Sequence, residues 1–208
     1  MKKEPGYPIP LTPGEGFVDH VQWSGDNPML SPPECREIIS IGEASGRLTK
    51  AYVGNPDESR IDETIRLVDA CSLSQAEVPW LYERIAERVR LANDKYYKFD
   101  LVGLMEPVQL LRYKGNVESK ENGHYGWHQD YGNDYMANRK LSLVIQLSNP
   151  EDYKGGQFHW MTHVEWESRY TNIGDAMMFP SWTPHRVLPI TEGTRYALAV
   201  WIHGPRLR

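Results

Sequence analysis

Two segments of the chain repeat their apolar positions with a period near 3.6, and everything after Lys98 changes to a period of two. The first helical segment opens at Ser31, a capping residue. Pro32 and Pro33 follow in the first turn, Glu34 adds a favourable charge, Ile38, Ile39 and Ile41 form a buried side, and Gly46 is a stop. The second runs from about Val78 to Tyr96, with Trp80, Leu81, Ile85, Val89 and Leu91–Ala92 on the apolar stripe. Glu83 and Glu87 alternate there with Arg84, Arg88 and Arg90 as a solvated face. Period-two alternation then predicts strands at Phe99–Met105, Val108–Tyr113, Leu141–Leu147, Gln157–Met161, Val164–Tyr170, Ala176–Phe179, Arg186–Ile190 and Tyr196–Ile202, separated by Pro, Gly and Asn. Two helices followed by about eight short strands imply an α+β fold, with the helices packed on a double-sheet β-roll.

The flanks are less regular. Residues 1–30 are rich in Pro and Gly and read as an irregular N-terminal arm, with a short strand near Gly16–Trp23; residues 49–77 are mixed and turn-rich. No repeat, low-complexity tract or inner linker interrupts 31–208, which is read as a single domain. A chain of 208 residues with 40% hydrophobic and 25% charged residues is long enough to bury a real core.

Net charge of −5 argues against nucleic acid as a partner, since phosphates favour a basic face. The N-terminus has no apolar signal region, and no run of about 18 apolar residues is present, so neither secretion nor a membrane helix is expected. Cys35 and Cys71 form no metal-type pair, and buried free thiols in a reducing cytoplasm are the plainer reading. Oligomeric state is not legible. Seven Trp and twelve Tyr against four Phe favour rings with a polar handle, which suit sites that are part apolar and part wet.

The candidate chemistry lies in two motifs, Gly126-Trp127-His128-Gln129-Asp130 and Phe179-Pro180-Ser181-Trp182-Thr183-Pro184-His185. His128 and Asp130 at a strand end point the same way, and His185 can join them from a strand passing nearby. Two imidazoles and one carboxylate on one face are the ligand set for non-haem Fe(II), with other positions left open. Alone, His-x-Asp is frequent by chance. The last strand adds weight, because Arg195, Ala197, Ala199 and Trp201 share one face and Tyr196, Leu198, Val200 and Ile202 the other. A buried arginine is costly unless paired. Facing a space cleared by two alanines, Arg195 suits a carboxylate gripped by a bidentate fork, which describes a 2-oxoglutarate slot. Tyr113 ends a neighbouring strand and can donate a second hydrogen bond to the same carboxylate.

Order and spacing of these residues carry a family resemblance. It runs through Gln109-Leu110-Leu111-Arg112-Tyr113, Tyr125-Gly126-Trp127-His128-Gln129-Asp130, Leu141-Ser142-Leu143-Val144-Ile145-Gln146-Leu147-Ser148, Tyr153-Lys154-Gly155-Gly156-Gln157-Phe158 and Gly174-Asp175-Ala176-Met177-Met178-Phe179-Pro180, then His185-Arg186-Val187 to Arg195 and Trp201. The chain resembles the iron(II)/2-oxoglutarate dioxygenases of the prolyl 4-hydroxylase type, especially the small PKHD-type hydroxylases. The resemblance implies a distorted double-stranded β-helix, jelly-roll or cupin-like, with iron on His128, Asp130 and His185 and 2-oxoglutarate on Arg195 and Tyr113. It implies hydroxylation of an unactivated C–H bond, most often of a prolyl residue in a protein or peptide, with release of succinate and CO2. Gln146 stands where many relatives carry a tyrosine that helps hold the cosubstrate, and many have Lys in place of Arg195. Gln146 and Trp201 complete the expected cosubstrate site. The expected set of small molecules is Fe(II), 2-oxoglutarate and O2, with ascorbate as reductant.

Plainer readings stand beside these. A free amino acid or other small metabolite would suit the same chemistry, and a β-roll that binds a metal or ligand without redox chemistry is a third reading. Asp130 itself speaks against a halogenase, where that position would be small. His159 and His163 are a rival i, i+4 pair, but Phe158-His159-Trp160-Met161 reads as strand and no Glu follows the first His. His124, His20 and His203 show no partner signal. Tyr125, Trp127, Tyr131, Tyr135 and Trp182 bracket the ligands and are expected to wall a substrate site, although packing is the commoner job of such rings. Residues 114–125 are expected to be a mobile loop that closes over substrate, with a plain solvated loop as the alternative.

Overall fold

The computed structural model describes residues 18–53, 60–118, 121–162, 164–167 and 172–206. Its helices are α1 (Pro32–Ala44) and α2 (Pro79–Ala92). Its strands are β1 (Val21–Trp23), β2 (Thr49–Lys50), β3 (Arg66–Leu67), β4 (Asp69–Leu73), β5 (Val108–Lys114), β6 (His124–His128), β7 (Arg139–Gln146), β8 (Tyr153–Gly155), β9 (Phe158–Met161), β10 (Glu165–Glu167), β11 (Ala176–Pro180), β12 (His185–Val187) and β13 (Ile190–His203). A large antiparallel sheet runs β1-β11-β7-β13-β5-β4-β2, with β8 paired to the start of β13; a smaller one runs β10-β9-β12-β6-β3.

Period-two alternation on the large sheet builds two separate cores. Leu110 of β5, Leu143 and Ile145 of β7, Met178 of β11 and Leu198 and Val200 of β13 point outward, where Cys35 and Ile38 of α1 and Leu81, Ile85 and Val89 of α2 cover them. The intervening positions, among them Leu111, Tyr113, Met177 and Phe179, point inward to Phe158, Trp160 and Val187 of the small sheet. Helices on one face of a two-sheet roll are the α+β arrangement the pattern predicts, and it is the double-stranded β-helix that the resemblance implies. The inward face is the one that carries chemistry.

Ser31 opens α1 as expected, donating from its backbone N and its Oγ to Glu34 Oε2 at 2.8 Å each. The buried side of α1 is Cys35, Ile38 and Gly42, while Ile39 and Ile41 are half-buried. Gly42 is there because the helix rides against the sheet: a Cβ would stand 2.1 Å from Leu110 Cδ2. On α2, Leu81, Ile85, Val89 and Ala92 are buried, but Leu91 is 52% exposed, one step off the stripe. The helix continues as a π turn, Asn93–Tyr97.

Several expectations fail for identifiable reasons. Phe99–Met105 is not a strand. The side chain of Asn93 brackets Phe99, accepting from its N at 3.0 Å and donating to its O at 2.9 Å, and only Gly103 bridges to His203. Residues 49–77 are not mere turns: β2, β3 and β4 lie there, with Cys71 and Leu73 buried. The segment 114–125 is shorter as a loop than expected, because His124 and Tyr125 enter β6 and pair with β3 and β12. Of the strand foreseen at 164–170, Glu165–Glu167 forms β10; 163 and 168–170 fall outside the described residues, as do 1–17 of the N-terminal arm. Among the described residues no helix is long and apolar enough to cross a membrane.

Candidate metal and cosubstrate site

His128 closes β6 and His185 opens β12, and the two residues are direct register partners. The ligand-type atoms of His128, Asp130 and His185 lie within 4.8 Å of one another. His128 Nε2 is 3.8 Å from Asp130 Oδ1, and His185 Nε2 is 3.6 Å from Asp130 Oδ2. Each imidazole has its other nitrogen occupied: His128 Nδ1 is 2.8 Å from the Gly126 carbonyl and His185 Nδ1 is 2.9 Å from the Thr183 carbonyl. A carbonyl only accepts, so both rings carry a proton on Nδ1 and turn Nε2 to the centre. That is the orientation a metal requires.

Asp130 is aimed by its surroundings. Its N donates to the Ser181 carbonyl at 2.9 Å, and Ser142 Oγ donates to its Oδ2 at 2.6 Å. Burial alone would raise the Asp130 carboxyl, but His185, His128, Ser142 and Arg139 outweigh it, and the group lies below its ordinary range. Desolvation, followed by the neighbouring His185, lowers His128 to about 3. Two imidazoles around a carboxylate held in its charged form are a good place for a divalent cation. The donor set therefore fits Fe(II).

A register shift between β12 and β6 sets His185 against His128 but Val187 against Tyr125, two residues on one strand against three on the other. The Tyr125 ring thereby stacks on His128, centroids 3.5 Å apart and planes at 13°. Without that bulge, Tyr125 and His128 would face opposite ways.

Beside the triad lies a cavity of about 790 Å³ lined by Arg195, Ala197, Ala199 and Trp201 of β13, Gln109, Leu111 and Tyr113 of β5, and Val144 of β7. Arg195 is 2% exposed and makes no ion pair with a carboxylate among the described residues; its nearest aromatic contact is the Tyr113 ring, 5.4 Å away. A buried, uncompensated guanidinium facing an open space fits an anionic cosubstrate such as 2-oxoglutarate. Gly156, at φ +68°, makes room for it, since a Cβ there would stand 2.0 Å from Ile190 Cδ1 and 3.2 Å from Arg195 Cδ. Burial pushes the Tyr113 phenol up, so it stays a donor.

Other expected site residues sit elsewhere. Gln146 does not line the cavity; its amide donates to the Ser148 carbonyl and the Tyr153 hydroxyl, each at 3.0 Å. Tyr125 and Tyr135 line the cavity, but Trp127, Tyr131 and Trp182 do not. Trp127 is next to His128 on a strand and so faces out, where Arg186 lies over its ring. Trp182 packs on Phe99 with centroids 5.7 Å apart. His159 pairs with Glu165 on the outer face, and His163 lies outside the described residues.

Sequence reasoning missed Ser142, Arg66, Arg139, Glu106 and His203. Arg139 stacks on Trp201, 3.9 Å from Cζ to ring centroid, and donates from Nε to Glu106 at 2.7 Å. His203 Nε2 meets the same carboxylate at 2.8 Å. A polar residue between leucines (Leu141-Ser142-Leu143) was a readable sign of an inward function for Ser142.

Residues 108–203 match the family model of the 2OG-Fe(II) oxygenase superfamily. A PKHD-type hydroxylase of Delftia acidovorans is 32% identical over 182 residues, covering 85% of this chain and 76% of that protein. Among solved structures, a Pseudomonas putida prolyl-4-hydroxylase superposes with a TM-score of 0.67 at 22% identity, over 90% of this chain and 93% of that one. A Trichoplax adhaerens prolyl hydroxylase in complex with a hypoxia inducible factor oxygen degradation domain peptide fragment gives 0.70 at 17% identity, over 89% and 83%.

Proposed function

We propose that this chain, which belongs to the PKHD-type hydroxylases of the 2OG-Fe(II) oxygenase superfamily, is a 2-oxoglutarate-dependent dioxygenase that hydroxylates a prolyl residue of a protein or peptide. The observation that carries the cosubstrate half is Arg195, buried without a carboxylate partner among the described residues and beside the His128–Asp130–His185 centre. The prolyl half is supported by the fold shared with prolyl hydroxylases, one of them holding a peptide.

His128, Asp130 and His185 would hold Fe(II), which together with 2-oxoglutarate and O2 supplies oxidation of an unreactive C–H bond. Arg195 would grip the far carboxylate of 2-oxoglutarate, and the Tyr113 hydroxyl would donate to the same group. The small side chains of Ala197 and Ala199 on the cavity wall would leave room for it. Ser142 fixes the Asp130 carboxylate, and the two backbone carbonyls on Nδ1 fix the imidazoles, so the ligands need little reorganisation to bind. Phe158 and Phe179, with centroids 5.5 and 4.9 Å from the His185 ring, exclude water from its flank. Succinate and CO2 leave as coproducts, one of each for every oxygen atom inserted.

The test is incubation with Fe(II), 2-oxoglutarate and ascorbate, offering capped prolyl peptides in one arm and free L-proline in another. Gain of one oxygen atom by a peptide supports the reading. Oxidation of free proline alone would favour the metabolite reading instead.

A further inference from the structure

The walls of the cavity are cationic out of proportion to the chain. Overall the protein carries a net charge of −5, yet Arg47, Lys50, Arg60, Arg66, Arg139 and Arg195 line the cavity, against a single described carboxylate, that of Asp130. Most of these cations are already answered from behind the wall. Arg47 pairs with Glu77, Lys50 with Glu63, Arg60 with Asp62 at 3.2 Å, and Arg139 with Glu106. Arg195 is assigned above to the cosubstrate.

Arg66 is left over. Among the described residues it meets no carboxylate; one terminal nitrogen donates to the Tyr52 carbonyl at 2.9 Å, and its Nε is buried with no partner. Its position is held firmly. Arg66 is the β3 register partner of Tyr125 on β6, and its Cζ lies 4.7 Å from the centroid of the Tyr125 ring. The same ring stacks on His128. The guanidinium and the metal triad thus share one aromatic ring, and both line the cavity together with the exposed Tyr52.

A fixed cation with spare donors at the mouth of a site selects an anion there. We infer that Arg66 receives an acidic side chain of the substrate, so that the preferred prolyl peptide carries Asp or Glu close to the target residue. This rests on the prolyl-peptide reading above and adds the charge of the substrate to it.

The test uses capped peptides with a central proline and Ala, Gln or Glu at each flanking position, with hydroxylation read by mass. The quantity compared is the ratio of kcat/KM for the best Glu peptide to that of its Gln counterpart, in wild type, Arg66→Gln and Arg66→Lys. A ratio is insensitive to losses of folding or metal that depress both peptides alike. The wild-type ratio should be at least about tenfold, the effect of one charge-assisted hydrogen bond. It should fall close to one in R66Q and persist in good part in R66K. A wild-type ratio near one, or an unchanged ratio in R66Q, overturns the role of Arg66 and leaves prolyl hydroxylation standing. If no prolyl peptide is hydroxylated while free L-proline is, the peptide reading falls and this inference with it.

Discussion

His128 and His185 stand directly opposite one another, the last residue of β6 against the first of β12, with ring centroids 4.1 Å apart. This is one rung of an antiparallel ladder, so the separation of the two imidazoles is set by backbone hydrogen bonding and not by flexible linkers. Asp130, just past the end of β6, is pinned by the Ser181 carbonyl and by Ser142. The metal site is thus built on two paired strands of the small sheet, with one hydroxyl from the large sheet reaching across.

Ser142→Ala removes the only described side-chain donor to Asp130 Oδ2. Loss of such an outer partner commonly costs about 10–100-fold in metal affinity or activity. Fe(II) titration of the variant should show weaker binding, and activity should return at high iron. An unchanged iron affinity would mean that Ser142 does not orient the ligand.

Arg195→Ala should raise the KM for 2-oxoglutarate by about 10–100-fold, the loss of a charge-assisted contact of about 1.5–3 kcal/mol. Gly156→Ala should act in the same direction, because its Cβ would crowd Ile190 and Arg195 Cδ at a backbone angle that disfavours alanine. Steady-state kinetics against 2-oxoglutarate reads both.

Glu106 links acid stability to the site. Burial would raise its carboxyl, but His203 and Arg139 outweigh that and hold it below the ordinary glutamate range. A depressed carboxylate stabilises the fold above its unfolded pKa, and that stability is lost as pH falls through the folded pKa. Denaturant melts should therefore lose stability below about pH 4.5, and Glu106→Gln should flatten that limb while lowering stability at pH 7. A variant with an undiminished acid limb would show that other groups control it.

Burial pushes the Cys35 thiol up to about 12, and Cys71 is raised for the same reason. Both thiols are free and buried. At pH 8 neither should react with iodoacetamide in the folded protein, and both should react in denaturant. Rapid native alkylation, seen as a mass gain, would contradict their placement under α1 and β4.

Where apolar residues alternate over many positions the strands were legible, as in β5, β7, β11 and β13, because each carries a helix-facing layer and an inward layer. The same alternation exposed the odd face Arg195–Ala197–Ala199–Trp201. Strands β2 and β3 have two residues each, too few to show a period. Arg66 drew no attention because its meaning depends on pairing with Tyr125, a contact distant in sequence. The stacking of Tyr125 on His128 needs a bulge that no local pattern announces. Trp127 was misread although strand alternation, applied one residue before His128, turns it outward. Gln146 was carried over from its place in the family pattern, and its amide finds local partners instead.

The most direct test of the account measures succinate and hydroxylated peptide together, from Fe(II), 2-oxoglutarate, O2 and a prolyl peptide, in wild type and in His185→Ala. The account predicts equal amounts of the two products in wild type and loss of both, by at least about a hundredfold, when a metal ligand is removed. Succinate formation that survives His185→Ala, or none from iron-saturated wild type, would contradict it.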